Sequence, residues 1–427
     1  MNLRFSGLLR LRFAAGAVFG LALVWGLPPA RAAAAPPYVD RRVTALSAAA
    51  LLSLPPAKLV DPRRQRVSLR LRRYNRPLFF VWAFSQIVAF FYLWSSGYAA
   101  RLRDVLRRRI RSTPLLRFVY GALLALVGAC ATLPASLARY RVDTAYGLTA
   151  QTPLGWVRDG LLTATMDALL VGAIVTATFA LVDRTRLWYL YTMAGLFAFT
   201  LLMAFLEPVL IAPLYNHVTP ISNRSPVRAA LERLAARAGV RNAPIEVANF
   251  SIRSRAIAAD VAGFGPTKIV VLGDSLLTDA TTDEVLFLTA REFGHYAHGD
   301  DFRLSLFWTF LFIACTALAV VLADRVRFRN DDDPLTRLSL VFTFLGLWAL
   351  LATPLYNGYS RNLESRADAY ALALTHDRVA AVRAYVRIAD ETFAPLCPSR
   401  PTLLYFYNSP PLGTRIAKAQ QRPNPCP

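Results

Sequence analysis

Six long apolar runs constrain this chain more than any other feature of its sequence. They lie at about 77–97, 118–138, 161–182, 187–206, 304–323 and 338–356. Each run is close to the ~20 residues that a helix needs to cross about 30 Å of hydrocarbon. In the whole chain 55% of the residues are apolar and 18% are charged, whereas a soluble domain carries roughly 25% charged residues. The sequence therefore predicts a multi-pass integral membrane protein whose body is a membrane α-helical bundle.

The positive charge of the chain lies beside these runs. The formal net charge is +22, and all but three of the 49 basic residues are arginines. The arginines crowd into residues 63–76, 101–117 and 325–329. Arginine at the ends of membrane helices contacts anionic lipid headgroups and helps to set topology. We therefore expect membrane lipids, and no nucleic acid, among the partners of this protein.

The apolar runs divide the chain into five parts. Residues 1–34 show the order basic, apolar, small that is typical of a secretory signal, with a retained first span as the alternative. Residues 35–216 then contain four spans, 217–303 a polar insert, 304–357 two further spans and 358–427 a polar tail. Because two spans separate the insert from the tail, both lie on one side of the membrane. We expect the protein to lie in a bacterial inner membrane.

The polar insert predicts a small α+β domain. Residues 226–240 have helical spacing that Gly239 closes, and 245–247 and 268–272 resemble short strands. Thr281 and Glu284 fit a capping box. The helix that this box opens runs toward Gly299 and carries Arg291-Glu292-Phe293-Gly294-His295.

That five-residue segment is a degenerate form of a zinc-binding motif. In zincin metallopeptidases two histidines at i and i+4 bind zinc, and the glutamate after the first activates a water. Here Glu292 and His295 are present, but Arg291 takes the place of the first histidine. A guanidinium does not deprotonate in proteins and therefore cannot become a zinc ligand.

Other segments resemble the integral-membrane CAAX prenyl endopeptidases, a family of zincin-type metallopeptidases. Residues 357–368 are similar to the family's N-x-x-S-R-x-x-E-x-x-A-D block. In chain order, matches also occur at Leu54-Pro55-Pro56-Ala57-Lys58, 211–216, 251–254 and 410–416. The resemblance runs from about residue 50 to 420. It implies a membrane helical bundle with a zincin-like insert, zinc as cofactor, and a lipidated or membrane peptide or protein as substrate.

Carried over residue by residue, the resemblance implies one role for each matching position. Glu292 matches the general base, His295 and Glu364 match zinc ligands, and Asp368 matches an acid close behind them. Several other positions depart from the family pattern. Ala258 replaces an asparagine that holds the substrate backbone, Ala256 replaces a histidine of the same segment, and Ser409 replaces a histidine thought to stabilise the oxyanion.

These departures predict a metallopeptidase homologue whose zinc site is degenerate and whose peptide hydrolysis is impaired or lost. We expect Arg291 to pair with Glu364 or Asp368 and to substitute its charge for the metal. Two alternatives stay open. One is an active zinc metalloendopeptidase with an unusual site, for example one using His295 and His298. The other is a membrane transporter, which the number of spans and the intramembrane Asp167 suggest.

Two of the four cysteines share the polar tail. If the tail lies in an oxidising compartment, Cys397 and Cys426 can form a disulfide. Their Cα atoms would then have to lie within about 7 Å of each other.

Overall fold

A computed structural model describes residues 45–263, 265–326 and 333–426. The expected signal or first span, residues 1–34, lies outside the described residues. Within them, six helices are long and apolar enough to cross a membrane, which confirms the predicted bundle. They are α3 (Pro62–Ser95), α5 (Thr113–Ala145), α6 (Pro153–Val182), α7 (Trp188–Leu206), α12 (Asp300–Arg325) and α13 (Pro334–Thr375).

Short elements connect and extend these spans. Helix α7 continues through a π-helical turn (Glu207–Ile211) into α8 (Ala212–Tyr215), so the fourth span covers Trp188–Tyr215. Helix α4 (Tyr98–Arg109) joins the first two spans. Asp167, the intramembrane acid, lies on α6 with an exposed side chain, and among the described residues it forms no polar contact to another helix.

The polar insert folds around a four-stranded sheet. Its strands are β1 (Val218–Pro220), β2 (Ile245–Ala248), β3 (Ala259–Ala262) and β4 (Ile269–Gly273), in the order β1-β2-β4-β3. Strands β2 and β4 are parallel, and the two outer pairs are antiparallel. Strand β3 is therefore an edge strand. Three helices complete the insert: α9 (Arg228–Arg237), α10 (Asp274–Asp279) and α11 (Thr282–His298).

The insert shares one hydrophobic core with both ends of the described chain. At the N-terminal end lie α1 (Ala48–Ser53) and α2 (Pro56–Leu59), and the tail forms α14 (Arg378–Glu391), α15 (Arg400–Phe406) and α16 (Leu412–Ala419). The core brings together fully buried side chains from all three parts, among them Leu51, Leu272, Phe287, Tyr385 and Ile416. We call this unit the extramembrane domain.

Two helices position the candidate site. Helix α11 begins with the predicted capping box, in which the Thr281 hydroxyl accepts from the backbone N–H of Glu284 and the Glu284 carboxylate accepts from that of Thr281. It ends at Gly299, which has a left-handed φ of 62°. Helix α13 runs 42 residues from the membrane into the extramembrane domain and packs against α11. The motif helix and the helix bearing Glu364 therefore lie side by side, as the match of His295 and Glu364 to ligands of one zinc implies.

A disulfide closes the tail. Cys397 and Cys426 are bonded, with Cα atoms 5.1 Å apart, as the sequence predicted for an oxidising compartment. The sulfurs lie against the first turn of α16, where the Gly413 N–H donates to the carbonyl of Leu396. The bond therefore fixes the end of the chain beside α16.

Candidate active site

The degenerate motif lies on a buried face of α11. Arg291, Glu292 and His295 have relative exposures of 9%, 3% and 8%. Residues at i and i+4 share one side of a helix, so Arg291 and His295 both face α13. The fold thus presents an arginine where a zincin presents its first histidine.

His295 lies beside the predicted third ligand. Its Nε2 is 3.6 Å from Oε1 of Glu364, and its Nδ1 is 3.0 Å from Oδ2 of Asp300. Arg366 in turn donates from Nη2 to Asp300 at 2.5 Å. A carboxylate on one ring nitrogen fixes the orientation of an imidazole. His295 is therefore held with its other nitrogen toward Glu364.

Arg291 contacts the carboxylates that would surround a metal. Its Nε donates to Oδ1 of Asp368 at 2.9 Å, and its Nη2 donates to Oε2 of Glu364. Its Nη1 is 3.4 Å from Oε1 of Glu292. All three groups of the guanidinium are therefore engaged, as expected if the arginine substitutes its charge for the metal.

A second arginine supports this cluster from α16. Arg415 donates to both oxygens of Asp368, from Nε at 2.8 Å and from Nη2 at 2.6 Å. The guanidinium also lies 4.3 Å from the ring centre of Tyr385. Asp368 thus accepts from two arginines, and α11, α13 and α16 are joined through one carboxylate.

Burial and charge shift the pKa values of the motif residues. Burial lowers the pKa of Arg291, but Glu364, Asp368 and Glu292 outweigh that effect and hold the pKa well above its usual value. Burial raises the pKa of Glu292 to about 8, against the opposing effect of Arg291 and His295. Burial would lower the pKa of His295, but the Asp300 hydrogen bond and the nearby glutamates raise it. At neutral pH the geometry therefore favours a charged Arg291 and a protonated Glu292.

These residues line a cavity of about 420 Å³ between the extramembrane domain and the membrane helices. Ser409 is part of its lining, as are Ala259 and Asp260 of the edge strand β3. Ala258 directly precedes that strand, and its carbonyl accepts from the Gly273 N–H at 2.8 Å. The structure thus brings most of the sequence-predicted positions to one cavity and places Ala258 at its border.

The residues present do not fit a zinc ion. A catalytic zinc needs three protein ligands and one open position. His295 and Glu364 supply two donors, and Arg291 extends from the place of the missing one. In the described part of the chain, no group of three or more His, Cys, Asp or Glu side chains is arranged to hold a metal.

His298 does not complete the site. Its Nδ1 lies 2.7 Å from the carbonyl oxygen of Gly294, and its ring packs edge-on against Tyr370 at 5.4 Å between centroids. The predicted alternative of a metal bound by His295 and His298 is therefore not formed in this structure.

Sequence reasoning gave no role to Asp300 or Arg415. Asp300 directly follows Gly299 and begins the next helix. A carboxylate so close in sequence to His295 was the signal that could have indicated their contact. Arg415 lies in the segment at 410–416 that resembles the family. Arg415 and Asp368 are 47 residues apart in the sequence, and residue spacing alone does not predict a contact between residues that far apart.

Comparison with known proteins gives the class to which this fold and site belong. The sequence profile of peptidase family M48 matches residues 222–423, and that of the CAAX prenyl protease N-terminal region, with five membrane helices, matches residues 55–217. The chain belongs to this family of CAAX prenyl protease-like integral-membrane metallopeptidase homologues.

Individual relatives agree with that assignment. The uncharacterized metalloprotease YhfN of Bacillus subtilis is 26% identical over 377 residues, which cover 86% of this chain and 88% of that protein. A CAAX prenyl protease 1 homolog of Arabidopsis thaliana is 28% identical over 300 residues, or 66% of this chain and 68% of that protein. The crystal structure of S. mikatae Ste24p superposes with a TM-score of 0.74 at 21% identity and covers 96% of each chain. This last match confirms the fold.

Proposed function

We propose that this protein is a zinc-free member of its family that binds peptide segments without hydrolysing them. The observation that carries the proposal is the position of the Arg291 guanidinium. It extends from the site of the first zinc ligand and pairs with Glu364 and Asp368. The positive charge of the guanidinium at that point would repel a metal dication.

The remaining catalytic group is also unsuited to hydrolysis. A general base must be deprotonated and within reach of a water. Glu292 has a pKa of about 8 because it is buried, so it is mostly protonated at neutral pH. Ser409 and Ala258 offer neither the imidazole nor the carboxamide that the family pattern has at those positions.

One feature suited to peptide binding, an edge strand beside the cavity, is present. Edge strand β3 lines the cavity with Ala259 and Asp260. An edge strand carries unpaired N–H and C=O groups, to which an extended segment can add as a further strand. The relatives named CAAX prenyl proteases support a lipidated or membrane-anchored peptide as the bound class.

The experiment measures metal content and cleavage on one preparation. Protein purified after growth with added zinc should hold far less than one zinc per chain and should leave a fluorogenic lipidated peptide intact. The same peptide should still bind, as shown by fluorescence anisotropy. One zinc per chain together with cleavage that a chelator abolishes would establish the active metalloendopeptidase instead, an alternative that the closeness of His295 to Glu364 favours.

A further inference from the structure

The three short connectors between membrane helices meet on one face of the protein, opposite the extramembrane domain. The described residues of these connectors are 96–112, 183–187, 326 and 333, and we call their common surface the connector face. Arg103 and Arg107 of the first connector lie 3.3 and 2.7 Å from Asp333 of the third. Arg117, at the start of α5, lies 2.6 Å from Asp183 of the second. These ion pairs join the first connector to the third and the second connector to the start of α5.

The connector face is rich in arginine. Its described residues contain eight arginines and three aspartates, whereas the short loop at 146–152, on the side of the extramembrane domain, contains no charged residue. In the described part of the chain, Arg108, Arg109 and Arg111 are exposed and form no ion pair. Short loops rich in Lys and Arg stay in the cytoplasm, where the leaflet carries anionic lipid.

The tail disulfide independently indicates on which side of the membrane the extramembrane domain lies. Cys397 and Cys426 lie in the extramembrane domain, on the face opposite the connectors. Disulfides form and persist in oxidising compartments, which lie outside the cytoplasm in bacteria. The sequence of residues 1–34 agrees, because either a cleaved signal or a retained span places the chain that follows it outside.

The arginines at 63–76 favour the opposite orientation in the membrane, because they lie on the domain side of the first span. They are partly engaged within the protein. Arg64 donates from Nε to the carbonyl of Asp390 at 2.6 Å, and Arg76 donates from Nη2 to Oγ1 of Thr402 at 2.5 Å. Their contacts attach α3 to the extramembrane domain, whereas Arg108, Arg109 and Arg111 remain available to lipid.

We infer that the connector face binds the anionic phospholipids of the cytoplasmic leaflet and that the extramembrane domain, with its cavity, lies outside the cytoplasm. Given the peptide binding proposed above, on which this consequence rests, the ligands are then exported lipidated or membrane-anchored segments. Proteins modified and retained in the cytoplasm would not reach the cavity.

Cysteine labelling in intact bacterial cells tests the orientation. Asn242→Cys places a thiol on an exposed turn of the extramembrane domain, and Ser112→Cys places one on the connector face. A membrane-impermeant maleimide should label Asn242→Cys in intact cells and Ser112→Cys only after permeabilisation, with the unmodified chain as the blank. The reverse pattern, or equal labelling of both, would overturn the inference. Neither result depends on whether the cavity binds or cleaves peptides.

A lipid experiment tests the partner of the connector face. The charge-removal variant replaces Arg108, Arg109 and Arg111 with glutamine. The matched control replaces three exposed, unpaired arginines of the extramembrane domain with glutamine: Arg224, Arg233 and Arg241. Native mass spectrometry should show at least roughly tenfold less retained phosphatidylglycerol for the first variant and no change for the control, because each surface arginine strengthens anionic-lipid binding severalfold. Equal retention by both variants would refute the lipid contact.

Discussion

Replacing Arg291 with alanine should destabilise the extramembrane domain more than an ordinary arginine substitution does. The side chain is 10% exposed and contacts Glu364, Asp368 and Glu292. After Arg291→Ala, Asp368 keeps both hydrogen bonds from Arg415. Glu364 keeps only His295 at 3.6 Å and Arg415 at 3.9 Å. The substitution therefore leaves mainly one carboxylate without its strongest partner.

The magnitude follows from the environment of Glu364. Removing one partner of a buried ion pair costs about 3–5 kcal/mol, because the other charge is left uncompensated. The Glu364 side chain is 20% exposed toward the cavity, so water screens part of that charge. We expect the free energy of unfolding to fall by about 3 kcal/mol.

Chemical unfolding in detergent, followed by tryptophan fluorescence, measures that loss. As a control, Arg228→Ala breaks the half-exposed Arg228–Glu232 pair and a hydrogen bond to the Ile221 carbonyl and should cost about 1–2 kcal/mol. Adding Glu364→Gln to Arg291→Ala removes the orphaned charge and should recover roughly half of the loss. A cost of Arg291→Ala no larger than that of Arg228→Ala, or no recovery in the double variant, would refute the charge-substitution argument.

Three further predictions concern pH, packing and metal. Burial raises the pKa of Glu391 to about 7, which is above its unfolded value of about 4.5. The contribution of Glu391 to the free energy of unfolding is therefore full below pH 4.5 and is lost as pH rises through 7. Glu391→Gln should remove roughly 2–3 kcal/mol of that pH dependence in unfolding titrations. A Cβ on Gly413 would lie 2.9 and 3.0 Å from the two disulfide sulfurs, so Gly413→Ala should cost about 1–3 kcal/mol with the disulfide intact and less after reduction, measured by thermal unfolding. Arg291→His should raise bound zinc toward one per chain by elemental analysis while leaving peptide cleavage weak, and a zinc content unchanged from wild type would contradict this.

The parts of the fold that the sequence predicted depend on local chemistry. The capping box at Thr281, the helix that it opens and the six apolar runs are signals contained within about 20 residues each. The parts that were not predicted depend on distant contacts. The apolar run at 338–356 indicated only the membrane portion of α13, which continues to Thr375. Edge strand β3 has only four residues, too few for its alternation to stand out.

The candidate site divides in the same way. The family resemblance indicated Glu292, His295 and Glu364, and the degenerate motif suggested the pairing of Arg291. Asp300 reaches His295 through the turn at Gly299, and Arg415 reaches Asp368 from α16. Both contacts depend on how helices pack, which spacing within one segment does not determine. Sequence therefore indicated the candidate groups, while packing decided which carboxylate each cation neutralises.

The charge of the site gives the final argument for a zinc-free protein. Exchanging a zinc dication and a neutral histidine for one guanidinium lowers the positive charge of the site by one. A proton on Glu292, whose pKa burial raises to about 8, supplies the missing charge and at the same time disables the general base. Glu292→Gln mimics that protonated state and does not need to take up a proton on folding, whereas wild-type Glu292 is ionised in the unfolded chain above pH 4.5. The variant should therefore be more stable than wild type by roughly 2–3 kcal/mol at pH 7, with little of this gain below pH 4.5. Above pH 8, where wild-type Glu292 is ionised in the folded protein as well, this difference between the two proteins should stop growing. A loss of several kcal/mol at pH 7 in unfolding measurements would show that Glu292 is ionised there, and the compensation between Arg291 and Glu292 would then be wrong.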